Sequence, residues 1–151
     1  MKKDNIRDYA TEAFRYYAAC GQRTSEELKQ QVKKQIYDQS MRERIRSGSG
    51  AHSDYTAYSV MAADDEMYEM AAEFLDIIAV EKTMKQLTCD QKKAVEIVYF
   101  TDAGRELEKG DISKRVHKAE IEIPASSMSI YRWLRNARYI FSKERGLRII
   151  K

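Results

Sequence analysis

Residues 107–146, LEKGDISKRVHKAEIEIPASSMSIYRWLRNARYIFSKERG, decide how the chain is read, because two helical patterns flank its single proline. Pro124 cannot continue a preceding helix, and Ser126 or Ser127 just after it supplies an N-cap oxygen. The spacing predicts a helix from about Ser126 onward. Ile130, Leu134, Ala137 and Phe141 line its apolar face, with Trp133 and Ile140 at the flanks. At about 100° per residue the opposite face receives Met128, Arg132, Arg135, Asn136 and Tyr139, with Lys143 at its edge. Arginine and asparagine can bond bidentately to guanine and adenine edges, and serine or methionine can meet a groove wall or a thymine methyl. Ser127, Met128, Tyr131, Arg132, Arg135, Asn136 and Tyr139 are therefore candidate DNA contacts.

Charge agrees with that assignment. From Pro124 onward Arg132, Arg135, Arg138, Lys143, Arg145, Arg148 and Lys151 stand against Glu144 alone, so a polyanion is the natural partner. A Lys/Arg-rich face can also simply keep a helix solvated, and what weighs against that here is the cap and the helix in front. That preceding helix is expected at residues 111–119, started by Gly110 and Asp111, with Ile112 and Val116 turned inward. Lys114, Arg115 and Lys118 are expected to face outward, where the first helix of a helix-turn-helix crosses the sugar-phosphate backbone.

The order DIS-x-x-V, a turn, then S-x-x-S-I-Y-R-W-L-x-x-A-R resembles region 4 of sigma-70-type transcription factors. It is more similar still to the small phage and prophage transcriptional regulators of the ArpU and RinA type. The resemblance covers residues 87–146. It implies a sigma-like helix-turn-helix that binds promoter DNA, a phage or prophage origin, and RNA polymerase as a further partner. One departure stands out: the connection HKAEIEIPA, residues 117–125, is several residues longer than the family's tight turn, and Ile121 and Ile123 are expected to form a short extended piece. No counterpart of sigma region 2 is evident, so promoter melting by this chain alone is not expected.

The remainder reads as an all-α protein. At 151 residues, 43% hydrophobic and 34% charged, with one proline and six glycines, the chain is long enough for a real core in one domain or two small ones. The start, MKKDNIRDYATEAF, holds no apolar run of the signal-peptide kind, and AAEFLDIIAV is too short and too charged to span a bilayer, so a cytoplasmic protein is expected. Residues 5–20 predict a first helix with Ile6, Tyr9, Ala13, Tyr16 or Tyr17, and Cys20 on one face, stopped by Gly21. Thr24 to Glu27 has the capping-box form and opens a second helix over 25–46, with Leu28, Val32 and Ile36 in a narrow stripe. Lys29, Lys33, Lys34, Arg42, Arg44 and Arg46 outnumber Asp38 and Glu43 there; a solvated face explains this more simply than a second phosphate surface.

Ser47 to Ser53 is the linker candidate. Residues 54–81 then hold eight carboxylates and no Lys or Arg. This block either complements the basic helices or offers a surface to a partner. Within it Met67, Met70 or Ala71, Phe74, Ile77 or Ile78, Met84 and Leu87 predict a long helix over 64–86. Burial explains that stripe better than a dimer seam, since Glu81 interrupts it; a homodimer stays open, because two recognition helices on a palindrome bind far better than one. Thr88 to Gln91 opens a further helix over 90–101, with Ala94, Val95, Val98 and Tyr99 inward and Gly104 after it as a stop. The domains are thus an N-terminal helical hairpin at 1–46, a linker at 47–53, an acidic long-helix region at 54–86 and a DNA-binding domain at 87–151.

Chemistry has little to stand on. Cys20, Cys89, His52 and His117 form no zinc set, and both thiols read as buried or half-buried. There is no glycine-rich phosphate loop, no nucleophile elbow and no His/Asp/Ser set, so neither an enzyme nor a cofactor is expected. The expected function is a sequence-specific DNA-binding transcriptional regulator. The alternative is a phage assembly or adaptor protein, such as a small terminase subunit, or a protein binding polymerase or a sigma factor through its acidic helix. A ring of many subunits would favour packaging, a monomer or dimer the regulator.

Overall fold

Local caps set where the helices begin. Thr24 Oγ1 accepts from the Glu27 N–H at 3.2 Å while Glu27 Oε2 accepts from the Thr24 N–H at 3.1 Å, and Thr88 and Gln91 repeat the exchange. The computed structural model describes residues 5–47, 61, 64–66 and 68–148. Within them α1 spans Asn5–Ala19, α2 Ser25–Ser47, α3 Ala71–Gln86, α4 Cys89–Val95, α5 Asp111–Glu122 and α6 Ser127–Arg145; a π-helical turn, Glu96–Phe100, continues α4. All regular structure among the described residues is helical, in keeping with an all-α chain, and none of these helices is long and apolar enough to cross a membrane. The linker candidate from Gly48 to Ser53, with His52, lies outside the described residues.

Two compact units divide the chain: residues 1–22 with 76–151, and residues 23–75. The cuts differ from the expected boundaries, because α1 belongs to the core of the C-terminal helices and not to an N-terminal hairpin. That core gathers Ala10, Ala13 and Phe14 of α1 with Val80, Val95, Val98, Tyr99, Val116, Ile123, Ile130, Leu134 and Phe141. Phe14 has ring centroids 5.6 Å from Tyr99 and 5.7 Å from Phe141. The buried stripe of α1 is therefore rotated from the expected one: Tyr9 sits at the rim, its ring 6.2 Å from Phe141 and its hydroxyl donating to Asp76 at 2.6 Å. A tyrosine can serve a core edge in this way because its body is apolar and its tip polar. Thr83 lies on the buried face of α3 and is satisfied there, its hydroxyl donating to the Ala79 carbonyl at 2.7 Å.

The second unit holds α2, whose Leu28 and Val32 are buried, and Phe74, over whose ring the Lys29 ammonium sits at 5.9 Å. Of the helix expected over 64–86, residues 64–66 and 68–69 are helical and α3 follows; Met70 between them keeps the helical bonds, its N–H donating to the Glu66 carbonyl at 3.0 Å and its carbonyl accepting from the Phe74 N–H at 3.1 Å. Cys20 is half-buried as expected, whereas Cys89 is exposed, because it is the first residue of α4 at a surface helix start.

The end of the π-turn is closed by two cations. Arg15 is 3% exposed; its Nη1 donates to the carbonyls of Tyr99 and Thr101 at 3.3 Å each, and its Nη2 to those of Asp102, at 2.9 Å, and Arg105. Arg115 of α5, 8% exposed, donates to the Val98 carbonyl at 3.0 Å. Helix C-termini leave carbonyls without intrahelical partners and carry partial negative charge, so guanidinium groups suit them twice over. Burial and the neighbouring Arg115 push the Arg15 guanidinium below its ordinary value. We expect Arg15→Met, which keeps the aliphatic stem, to lower the unfolding free energy by about 2–4 kcal/mol as charge-assisted bonds are lost and carbonyls stranded. Urea unfolding checks this, with exposed Arg132→Ala as the control expected within about 0.5 kcal/mol of the parent.

Candidate nucleic-acid interface

The start of α5 is fixed by Asp111, whose carboxylate accepts from the Glu108 N–H at 2.8 Å and lies 3.7 Å from Arg105 Nη2. Gly110, at φ +90°, supplies the left-handed step before it that a side chain would resist. α5 then runs to Glu122, so the apparent surplus in HKAEIEIPA is one further turn of helix. Only residues 123–126 connect α5 to α6. Ile121 is helical and exposed, whereas Ile123 is extended (φ −118°, ψ 135°) and buried, and the Ala125 N–H donates to the Ile123 carbonyl at 2.7 Å across Pro124. This is a γ-turn, three residues long, which proline's fixed φ favours.

α6 begins where the capping serine predicts. Ser126 Oγ accepts from the Ser129 N–H at 3.3 Å. Ile130, Leu134, Ala137 and Phe141 are buried, and Trp133 and Ile140 pack half-buried against the same core. At the far end Gly146 is left-handed (φ +78°), which lets the Leu147 N–H reach the Ser142 carbonyl at 2.9 Å. The helix is thus closed at both ends.

The four arginines of α6 have two fates. Arg138 donates to the Tyr99 hydroxyl, and Arg145 Nε donates to Asp76 Oδ1 at 2.7 Å, the same oxygen that receives Tyr9. Arg132 and Arg135 are exposed and have no ion-pair partner among the described residues. They share the outer face with Met128, which is 71% exposed, Asn136 and Tyr139, and the Lys143 ammonium lies 5.6 Å from the Tyr139 ring centroid. Glu144, the helix's one carboxylate, is off that face and accepts from Gln86 Nε2 at 2.9 Å.

The remaining expected contacts separate from this group. Tyr131 is 42% exposed but turned toward α5, its hydroxyl 3.4 Å from that of Ser113. Ser127 is half-buried, near Glu120. Arg115 does not face outward; it shares a helical stripe with Asp111 and Ala119, both buried, and its charge is taken up by the Val98 carbonyl. Lys114 and Lys118 are exposed. They lie on the flank of α5 away from Ser113 and Glu120, so the fold does not bring them against the α6 face; about 100° of rotation separates each residue from the next.

Glu120 is the residue that sequence reading missed. Its carboxylate lies near the Ser127 side chain and N–H, and His117 Nδ1 lies 3.3 Å from its Oε2. The nearby Ser127 hydroxyl, above all, holds the Glu120 carboxyl below its ordinary value, against the opposing effect of partial burial. Among the described residues no group of three or more His, Cys, Asp or Glu is placed to hold a metal ion. The chain matches no protein-family model, no curated protein and no solved structure.

Asp111 makes the placement of α5 sensitive to acid. Its carboxyl lies below the ordinary value, chiefly because of the Glu108 N–H and then Arg105, with burial opposing. A folded-state value below the unfolded one means stability that is present above the ordinary aspartate range and lost as pH falls through the lowered folded value. Asp111→Asn is therefore expected to be less stable than the parent at neutral pH, with the difference closing as pH drops through that interval. Denaturant midpoints across pH check it, and a constant gap would contradict the assignment.

Proposed function

We propose that the protein is a sequence-specific DNA-binding transcriptional regulator in which α5 and α6 act as a helix-turn-helix and α6 enters the major groove. The observation that carries this is the outer face of α6, where Met128, Arg132, Arg135, Asn136 and Tyr139 stand together without a carboxylate among them. Arg132 and Arg135 are free to form the bidentate bonds to guanine that give direct readout, and Asn136 those to adenine. Lys143 and Arg148, also exposed, supply phosphate contacts, as do Lys114 and Lys118 on the first helix. The sigma-like order of residues adds RNA polymerase as a partner and phage or prophage promoters as the setting; a homodimer would pair two recognition helices on a palindrome.

Selection of bound fragments from genomic DNA by the purified protein tests this reading. On an enriched site, Arg132→Ala or Arg135→Ala is expected to cost about 1–3 kcal/mol and to relax the sequence preference. Lys114→Ala or Lys118→Ala should weaken all duplexes alike and flatten the salt dependence, each by about one unit of slope. Equal losses for all four on random DNA would remove base readout, and no enriched duplex at all would remove the function.

A further inference from the structure

Helix α3 and the turn that leads into it carry two apolar faces. One is buried, with Phe74 and Ile77 on it. The other is open: Tyr68 is 84% exposed and Leu75 50%, and Ala71 and Ala72 between them are exposed as well. Helical bonds run through Met70, so Tyr68, Ala71, Ala72 and Leu75 recur at i, i+3, i+4 and i+7 and form one stripe. Single apolar residues on a surface need no explanation, but a contiguous stripe bounded by an open tyrosine and an open leucine marks an interaction site. At about 100° per residue, Asp64 and Lys82 fall on one edge of this stripe, and Asp65 and Glu69 on the other; all four are exposed.

We infer that the stripe is covered by a second copy of the chain, packed against it as an antiparallel helix pair about a two-fold axis between Ala71 and Ala72. The stripe is complementary to itself in size when reversed. Tyr68 of one copy meets Leu75 of the other at each end, and the alanines face each other in the middle, where small side chains let the backbones approach. It is complementary in charge as well. Reversal brings Lys82 of one copy opposite position 61 of the other, about 4.5 Å along the axis from Asp64 and on the same edge. A parallel pair would set Asp64 against Asp64 and Lys82 against Lys82, and a basic segment of another protein would answer Asp64 but repel Lys82. The edge with Asp65 and Glu69 opposes its own counterpart, and one helix pair is smaller than a standard interface, so dimerisation belongs in the range of about 1–100 μM. The inference does not depend on the DNA-binding reading above.

Sedimentation equilibrium of the full chain across that range, without DNA, is the test, and a monomer–dimer equilibrium is expected. Tyr68→Glu and Leu75→Glu each place two carboxylates in the seam and should weaken the dimer by about a hundredfold. Asp64→Lys and Lys82→Asp each turn two ion pairs into repulsions and should weaken it by about tenfold. The double variant carrying both exchanges restores opposite charges in the antiparallel register alone, and should return to within about twofold of the parent. Unchanged far-ultraviolet circular dichroism separates loss of the dimer from loss of the fold, and recovery in the double variant is a result that no misfolded chain can give. A parent that stays monomeric at 100 μM, as about the upper end of the range for so small an interface, overturns the inference. So does a dimer indifferent to Tyr68→Glu and Leu75→Glu, or a double variant no better than its single parents. None of these results touches the DNA-binding reading, which the selection of bound fragments decides separately.

Discussion

The fold depends on how the chain escapes from the π-turn at 96–100. A widened turn that ends in extended backbone at Thr101 and a left-handed Asp102 leaves a run of carbonyls pointing into the protein. Buried carbonyls without donors would each cost about 1–3 kcal/mol, so the turn is tenable only with donors brought from elsewhere. Arg15 and Arg115 bring them, from α1 and α5 respectively. The same bonds tie both helices to one short segment. The position of α5, and through the γ-turn that of α6, follows from a polar junction as much as from the apolar core around Phe14, Tyr99 and Phe141.

That junction explains why cations on this chain cannot be counted as one surface. Arg15, Arg115, Arg138 and Arg145 are committed to carbonyls, a tyrosine hydroxyl or Asp76, and so hold the unit together. Arg132 and Arg135 are chemically the same residues placed on the other side of a helix. Guanidinium groups suit both roles because they are weakly hydrated and present their donors in a fixed fork. The division is made by angular position on α6, and of its four arginines the outward pair remains available to a polyanion.

Much of this is legible in the chain where the deciding contact is local. The start of α6 could be placed because Ser126 bonds to Ser129 within one turn, and its buried face because 3.6-residue periodicity needs no knowledge of the partner. Arg115 was readable and misread: it stands on the Asp111–Ala119 stripe one step from Val116, and its position signalled burial while its charge argued the reverse. Arg15 was not readable, since its partners are backbone carbonyls 84 to 90 residues away, which carry no side-chain signature. Glu120 lay hidden for a related reason. Its contact with Ser127 crosses a turn whose geometry had to be known first, and that turn reads as longer than it is because the alternation of Ile121 and Ile123 ahead of Pro124 suggests extended backbone where α5 in fact runs on to Glu122.

The outer face of α6 combines a fixed backbone with free side chains, and the two have opposite thermodynamic consequences. Ser126 at one end, and Asp76 with Gly146 at the other, hold the helix, so binding any partner along it, DNA included on the proposed reading, requires little further backbone ordering. Arg132 and Arg135, unpaired in the free protein, must each surrender side-chain freedom of up to about 2 kcal/mol on binding. On the proposed DNA-binding reading, only contacts that use the guanidinium's fork at two points return that cost, and a base edge that matches it offers them. A face already knitted into ion pairs would have to break those bonds before meeting any polyanion, and the two unpaired arginines carry no such cost.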